Sequence, residues 1–103
     1  MRLSRTQAFR AFSLKVFAKG ALTAKTKKLI AVAVAHVTQC PYCIRGHIKG
    51  AMREGATREE LMEVIWVAAE VRAGAAFTHS VLVSDEMKEA APPVSDDAVA
   101  AER

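Results

Sequence analysis

Acidic residues are missing from the first half of this chain. Residues 1–53 hold eleven Lys and Arg and not one Asp or Glu. Turn formers are scarce as well, with three prolines and five glycines in 103 residues, which disfavours a sandwich of many short strands. No run reaches the roughly 18–20 apolar residues that a bilayer span requires. The longest strongly apolar stretch, residues 29–37, is too short and contains His36. The basic N-terminus is not followed by a signal-peptide hydrophobic region and a small-residue cleavage site. The expectation is a soluble cytoplasmic protein with no membrane attachment.

The second half reverses the charge. Residues 54–103 carry four Lys and Arg against eleven Asp and Glu. A basic half can attract nucleic acid, but no recognition motif or aromatic-studded basic strand accompanies it, which argues against that partner. Two halves that neutralise each other, within one subunit or between subunits, account for the asymmetry. Hydrophobic residues make up 51% of the chain, and twenty of its residues are Ala. So much Ala implies closely packed helices. A body this small with surplus apolar surface tends to bury the excess against copies of itself.

Helical signals run throughout. Ser4 and Gln7 have capping-box spacing and open a first helix to about Lys19. Thr23 is a good N-cap for a second, from Ala24 to about Gln39, although the β-branched residues of 29–37 would also suit a short buried strand. Pro41 suits the first turn of a third helix that stops at Gly55. Thr57 and Glu60 form another capping box, and Gly74 is expected to kink or divide the segment that follows. One all-α domain over residues 1–90 is expected. Residues 91–103, which include Pro92-Pro93, read as a mobile tail.

The chemistry is concentrated in Cys40-Pro41-Tyr42-Cys43, followed by His47. A CxxC at a helix start is a redox or metal arrangement. The unpaired N–H groups and partial positive charge of a helix N-terminus favour thiolate over thiol. His47 lies four residues after Cys43, on the same helix face, where an imidazole can take a thiol proton. Zinc is a competing reading, with His36 as a fourth ligand beside Cys40, Cys43 and His47. A purely structural disulfide is a weaker one, because so short a loop stabilises little. From helix position alone, Cys40 is the more exposed sulfur.

Residues 22–44 (LTAKTKKLIAVAVAHVTQCPYCI), with His47, GATREE at 55–60 and VAAEVRAGAA at 67–76, resemble the carboxymuconolactone decarboxylase / alkylhydroperoxidase D-like family, in its CxxCxxxH subgroup. The resemblance spans about residues 20–85. It implies an all-helical bundle assembling as a trimer or hexamer, and thiol peroxidase chemistry that needs neither a cofactor nor a metal. By that analogy Cys43 attacks the peroxide, Cys40 resolves the sulfenic acid as a disulfide, His47 is the base, and an external dithiol protein restores the thiols. Two positions depart from the pattern. Lys28 stands where the family has a Glu that feeds a proton relay, and Tyr42 stands where the archetype has a His. Glu70, in an otherwise apolar stretch, and His36 are the candidate substitutes for the relay. Tyr42 and Trp66 are candidate pocket walls, and His79 reads as a helix-packing or subunit-contact residue. Three functions follow: a peroxidase or disulfide oxidoreductase for organic hydroperoxides, a non-enzymatic redox sensor or scaffold, and a decarboxylase-type lyase. The lyase chemistry needs no cysteine pair.

Overall fold

A computed structural model describes residues 2–90, so the tail expected at 91–103 lies outside the described residues. Among the described residues five helices follow one another: α1 (Arg5–Phe17), α2 (Ala24–Thr38), α3 (Pro41–Arg53), α4 (Arg58–Thr78) and α5 (Ser80–Ala90). No strand occurs among the described residues, and the β-branched run of residues 29–37 lies inside α2. The chain divides into two compact units, Met1–Glu70 and Val71–Arg103.

The expected caps are in place. The Ser4 side chain accepts from Gln7 N at 3.1 Å, while Gln7 Oε1 accepts from Ser4 N at 2.8 Å. Thr23 Oγ1 accepts from Thr26 N at 3.1 Å. The pair Thr57–Glu60 repeats the reciprocal box at the start of α4. Each pairing satisfies backbone donors that a helix start leaves open.

The first unit is organised around α2. It packs chiefly on α3 and, along a shorter seam, on α1. Val32 and Ala35 of α2 are buried there, as are Gly50 and Ala51 of α3. Small residues on both helices permit the close approach. Gln39 makes the turn between them in the left-handed region, at φ 57° and ψ 48°. That reversal lets Pro41 start α3 at once. Lys27 ties α1 to α2 by donating from Nζ to the carbonyls of Val16 (2.9 Å) and Ala18 (2.6 Å). These are acceptors that the end of α1 leaves without helical partners. Lys25 of α2 pairs with Glu60 at the start of α4 at 2.9 Å. That hydrogen bond first, and the Thr57 backbone bond second, hold the Glu60 carboxyl below its ordinary range.

One boundary differs from expectation. The helix α4 runs through Gly74 without dividing and ends at Thr78. A single glycine costs a helix interior only about 1 kcal/mol, less than neighbouring turns supply. The break comes where side chains compete for carbonyls: Thr78 Oγ1 donates to Gly74 O at 2.8 Å, and His79 Nδ1 donates to Ala75 O at 2.8 Å.

Candidate functional site

Cys40 is the N-cap of α3 and Cys43 lies in its first turn. The two are joined as a disulfide, with Cα atoms 5.2 Å apart, within the span such a bond requires. Cys40 Sγ also accepts from Cys43 N at 3.3 Å, so one sulfur serves as both cap and disulfide partner. Position at the helix start does not decide exposure here. Cys43 is the exposed residue and Cys40 is half-buried. The reason is that Cys40 N donates to Ala35 O at 3.3 Å, which holds the cap against the end of α2.

Beside the disulfide lies a cavity of about 440 Å³ within the first unit. Val16 and Phe17 of α1 and Ile30, Ala31, Val34 and Ala35 of α2 make its walls apolar. Lys27 and Thr38 add polar atoms, and Cys43 and His47 together form the α3 side. The i, i+4 spacing on one helix face has therefore put a sulfur and an imidazole on the same wall. Cys40 does not line the cavity.

The His47 ring packs on Phe17, with centroids 5.3 Å apart and planes tilted by 38°. Lys28 Nζ lies 4.0 Å from the centroid of the same Phe17 ring. Burial, and after it the positive charge of Lys28, hold the His47 pKa below its ordinary value. A neutral imidazole keeps a lone pair free to accept a proton.

Other expected residues lie elsewhere. His36 Nδ1 donates to Val32 O at 2.7 Å, within its own helix, and His36 is not part of the cavity lining. Glu70 is exposed, and no hydrogen bond or ion pair joins it directly to His36 or His47. Tyr42 is 87% exposed and Trp66 71% exposed, and neither walls the cavity. Tyr42 points away because it sits at the first turn of α3, on a different face from Cys43 and His47. Among the described residues, no group of three or more His, Cys, Asp or Glu is gathered to hold a metal ion. The cavity residues that the sequence did not mark, Phe17, Lys27 and Val34, come from the two helices before the CxxC. Phe17 and Val34 carry only the apolar helical spacing that every core residue shares, and Lys27 reads as one more cation of a basic segment.

Comparison with known proteins follows the same outline. Residues 6–86 match the carboxymuconolactone decarboxylase family. An uncharacterised protein of the cox locus of Paracoccus denitrificans is 71% identical over 73 residues, covering 71% of this chain and 66% of its own. An uncharacterised protein of Cupriavidus necator is 44% identical over 55 residues, covering 53% of this chain and 49% of its own. The chain thus spans between about half and two thirds of the length of these curated relatives. Among solved structures, a Methanobacterium thermoautotrophicum protein superposes with a TM-score of 0.72 at 35% identity, covering 80% of this chain and 95% of its own. A carboxymuconolactone decarboxylase family protein from Thermotoga maritima, for which a role in the antioxidative response has been suggested, gives 0.63 at 29%, covering 85% and 95%. The match over most of the chain and the shared all-helical fold make this protein a member of the carboxymuconolactone decarboxylase family.

Proposed function

We propose that the chain is a thiol-dependent peroxidase and disulfide oxidoreductase of the CxxCxxxH subgroup, reducing organic hydroperoxides with electrons from a partner dithiol. The observation that carries the reading is that Cys43 and His47 share one side of an otherwise apolar cavity, with Cys40 bonded to Cys43 outside its lining. In the reduced protein His47 takes the Cys43 thiol proton. The thiolate attacks the outer oxygen of ROOH, the O–O bond breaks, and Cys43 becomes a sulfenic acid. The alkoxide RO⁻ leaves with the proton from His47 as ROH. Cys40 then displaces hydroxide from the sulfenic sulfur, which departs as water with the Cys40 proton and leaves the disulfide. A partner dithiol reduces that disulfide through a mixed disulfide and is itself oxidised. Sulfur carries both electrons, so the cycle calls for no cofactor.

Exposure supports the assignment of roles, since Cys43 is open to a peroxide and Cys40 is half-buried. The apolar lining favours an organic peroxide over a fully hydrated one. We further propose a homo-oligomer, trimer or hexamer, in a cytoplasmic setting where dithiol reductants are present. What supports self-association is the amount of large apolar side chain left open in the single chain, with Phe9, Phe12, Leu14 and Phe77 each more than 60% exposed.

The second reading, a redox sensor that oxidises once, draws on Lys28 in place of the relay carboxylate. Single-turnover oxidation separates the two. Metal-free reduced protein receives about one equivalent of an organic hydroperoxide, and thiol loss is followed beside Cys43→Ser and Cys40→Ser. Fast loss of both thiols, with a trappable sulfenic acid on Cys43 only in Cys40→Ser, is the expected result. Loss no faster than that of an ordinary free thiol sinks the peroxidase. Repeated turnover with a recycling dithiol then distinguishes enzyme from sensor.

A further inference from the structure

The surroundings of Lys28 are built rather than incidental. Gly50 of α3 is buried, and a Cβ there would stand 3.1 Å from Lys28 Cδ, 3.2 Å from Cε and 3.3 Å from Nζ. The end of the Lys28 side chain therefore occupies the space that any other residue at position 50 would claim. From that seat Nζ reaches the face of Phe17 at 4.0 Å, within the range of a cation–π contact. Phe17 in turn lies against His47. Gly50 follows His47 by three residues and so shares its helix face. Three helices meet in one stack, with Lys28 from α2, Phe17 from α1, and Gly50 and His47 from α3.

We propose that Lys28 is a positioning residue for His47: seated on Gly50, it clamps Phe17 against the imidazole and sets a positive charge beside it. The catalytic consequence rests on the peroxidase reading above; the clamp itself does not. The charged and titratable groups around His47 are few. From α2 come Lys28 and Lys27, whose Nζ is engaged by two α1 carbonyls, and His36, which donates within its own helix. From α3 comes Cys43, held in the disulfide, and α1 contributes the aromatic Phe17. Among the described residues no carboxylate pairs with His47. The positive charge favours the uncharged imidazole, the form that accepts the Cys43 proton. Once formed, the imidazolium is destabilised by the same charge, so it gives its proton readily to the departing alkoxide. A carboxylate at position 28 would do the opposite, stabilising the imidazolium and retaining the proton. Lys28 at this position therefore favours release of the proton from His47.

The test is an NMR pH titration of the His47 ring in the oxidised protein, where neither thiol titrates. Variants His36→Asn and His79→Asn assign the other two imidazoles. Lys28→Met should move the His47 midpoint upward, Lys28→Glu should move it further, and Lys28→Arg should restore it, since a guanidinium can also stack on Phe17. Gly50→Ala, whose Cβ would press on the end of Lys28 at 3.1–3.3 Å and displace it slightly without removing its charge, should shift it in the same direction as Lys28→Met and by less. A His47 midpoint unmoved in both Lys28→Met and Gly50→Ala overturns the inference. If Lys28→Met fails to fold, Gly50→Ala and Lys28→Arg decide it by the same readout. Because no peroxide is present, the titration stands apart from turnover. An unmoved midpoint with fast thiol oxidation removes the clamp and leaves the peroxidase, whereas a moved midpoint with slow oxidation leaves the clamp alone.

Discussion

Replacing Val32 with Ala tests whether the α2–α3 seam is the part of the fold that holds the cysteine and imidazole in place. Val32 has 0% of its surface exposed and is the largest fully buried side chain among the described residues. The change removes two carbons. Each buried carbon lost from a core costs roughly 0.5–1.5 kcal/mol, so the two together cost about 1–3 kcal/mol. Position 32 lies within α2, where Ala is a better helix former than Val by about 0.5 kcal/mol, which offsets part of the loss. The expected net cost is about 1.5 kcal/mol, a large share of the total for a domain of this size. Urea unfolding followed by far-UV circular dichroism should show the midpoint falling by about 1 M with the slope unchanged. Protein concentration must be held fixed, because self-association would add its own stability. The neighbouring change Ile30→Ala is the internal control. Ile30 is the larger side chain, yet 48% of it is exposed, so its loss should cost less than that of Val32. A Val32→Ala cost below about 0.5 kcal/mol, the usual range for a surface site, would refute the reasoning. So would a greater cost at Ile30.

Further outcomes follow from the same geometry. The His47 pKa is depressed in the folded chain, so below 6.5 the unfolded state binds more protons than the native one. Stability should therefore rise with pH up to about that value and level off above it, and His47→Gln should lose this part of the slope; a wild-type advantage that falls as pH rises contradicts it. Gln39 adopts the left-handed conformation, which costs a residue with a Cβ about 1–2 kcal/mol, partly offset by the greater unfolded-state freedom of glycine. Gln39→Gly should thus raise the thermal midpoint, by the equivalent of up to about 1 kcal/mol, and a lowered midpoint would show that the Gln39 side chain does more than turn the chain. Thr23→Ala removes the α2 cap and should cost about 1 kcal/mol in urea unfolding, with no measurable loss pointing to a frayed α2 start. If the exposed Phe9, Phe12 and Leu14 are covered by a second copy, the thermal midpoint should climb with protein concentration; a midpoint constant across a hundredfold dilution range speaks for a monomer.

Much of this protein was determined locally and can be read residue by residue. The caps Ser4, Thr23 and Thr57 each start a helix because a hydroxyl can accept from a backbone donor three residues on, an interaction that needs no other part of the chain. The placement of Cys43 and His47 on one wall follows equally from spacing along a single helix, whereas the CxxC spacing suited a disulfide and a metal site alike. The family resemblance resides in the same short segments, and the match over residues 6–86 agrees with it. The end of α4 was less legible, because Gly74 is a weak breaker and the competition by Thr78 and His79 for carbonyls depends on side-chain rotamers. Tertiary structure alone decided the cavity and what surrounds the imidazole. Phe17 lies thirty residues before His47, and no pattern in either helix announces that their rings will touch. Glu70 and His36 were reasonable partners on composition, but Glu70 is exposed, His36 Nδ1 is spent on a carbonyl of its own helix, and neither lines the cavity. Lys28 looked like a missing relay in the sequence. Only the packing of α2 over the bare backbone at Gly50 shows where its charge goes, because the direction of a long side chain is set by the neighbours that leave it room.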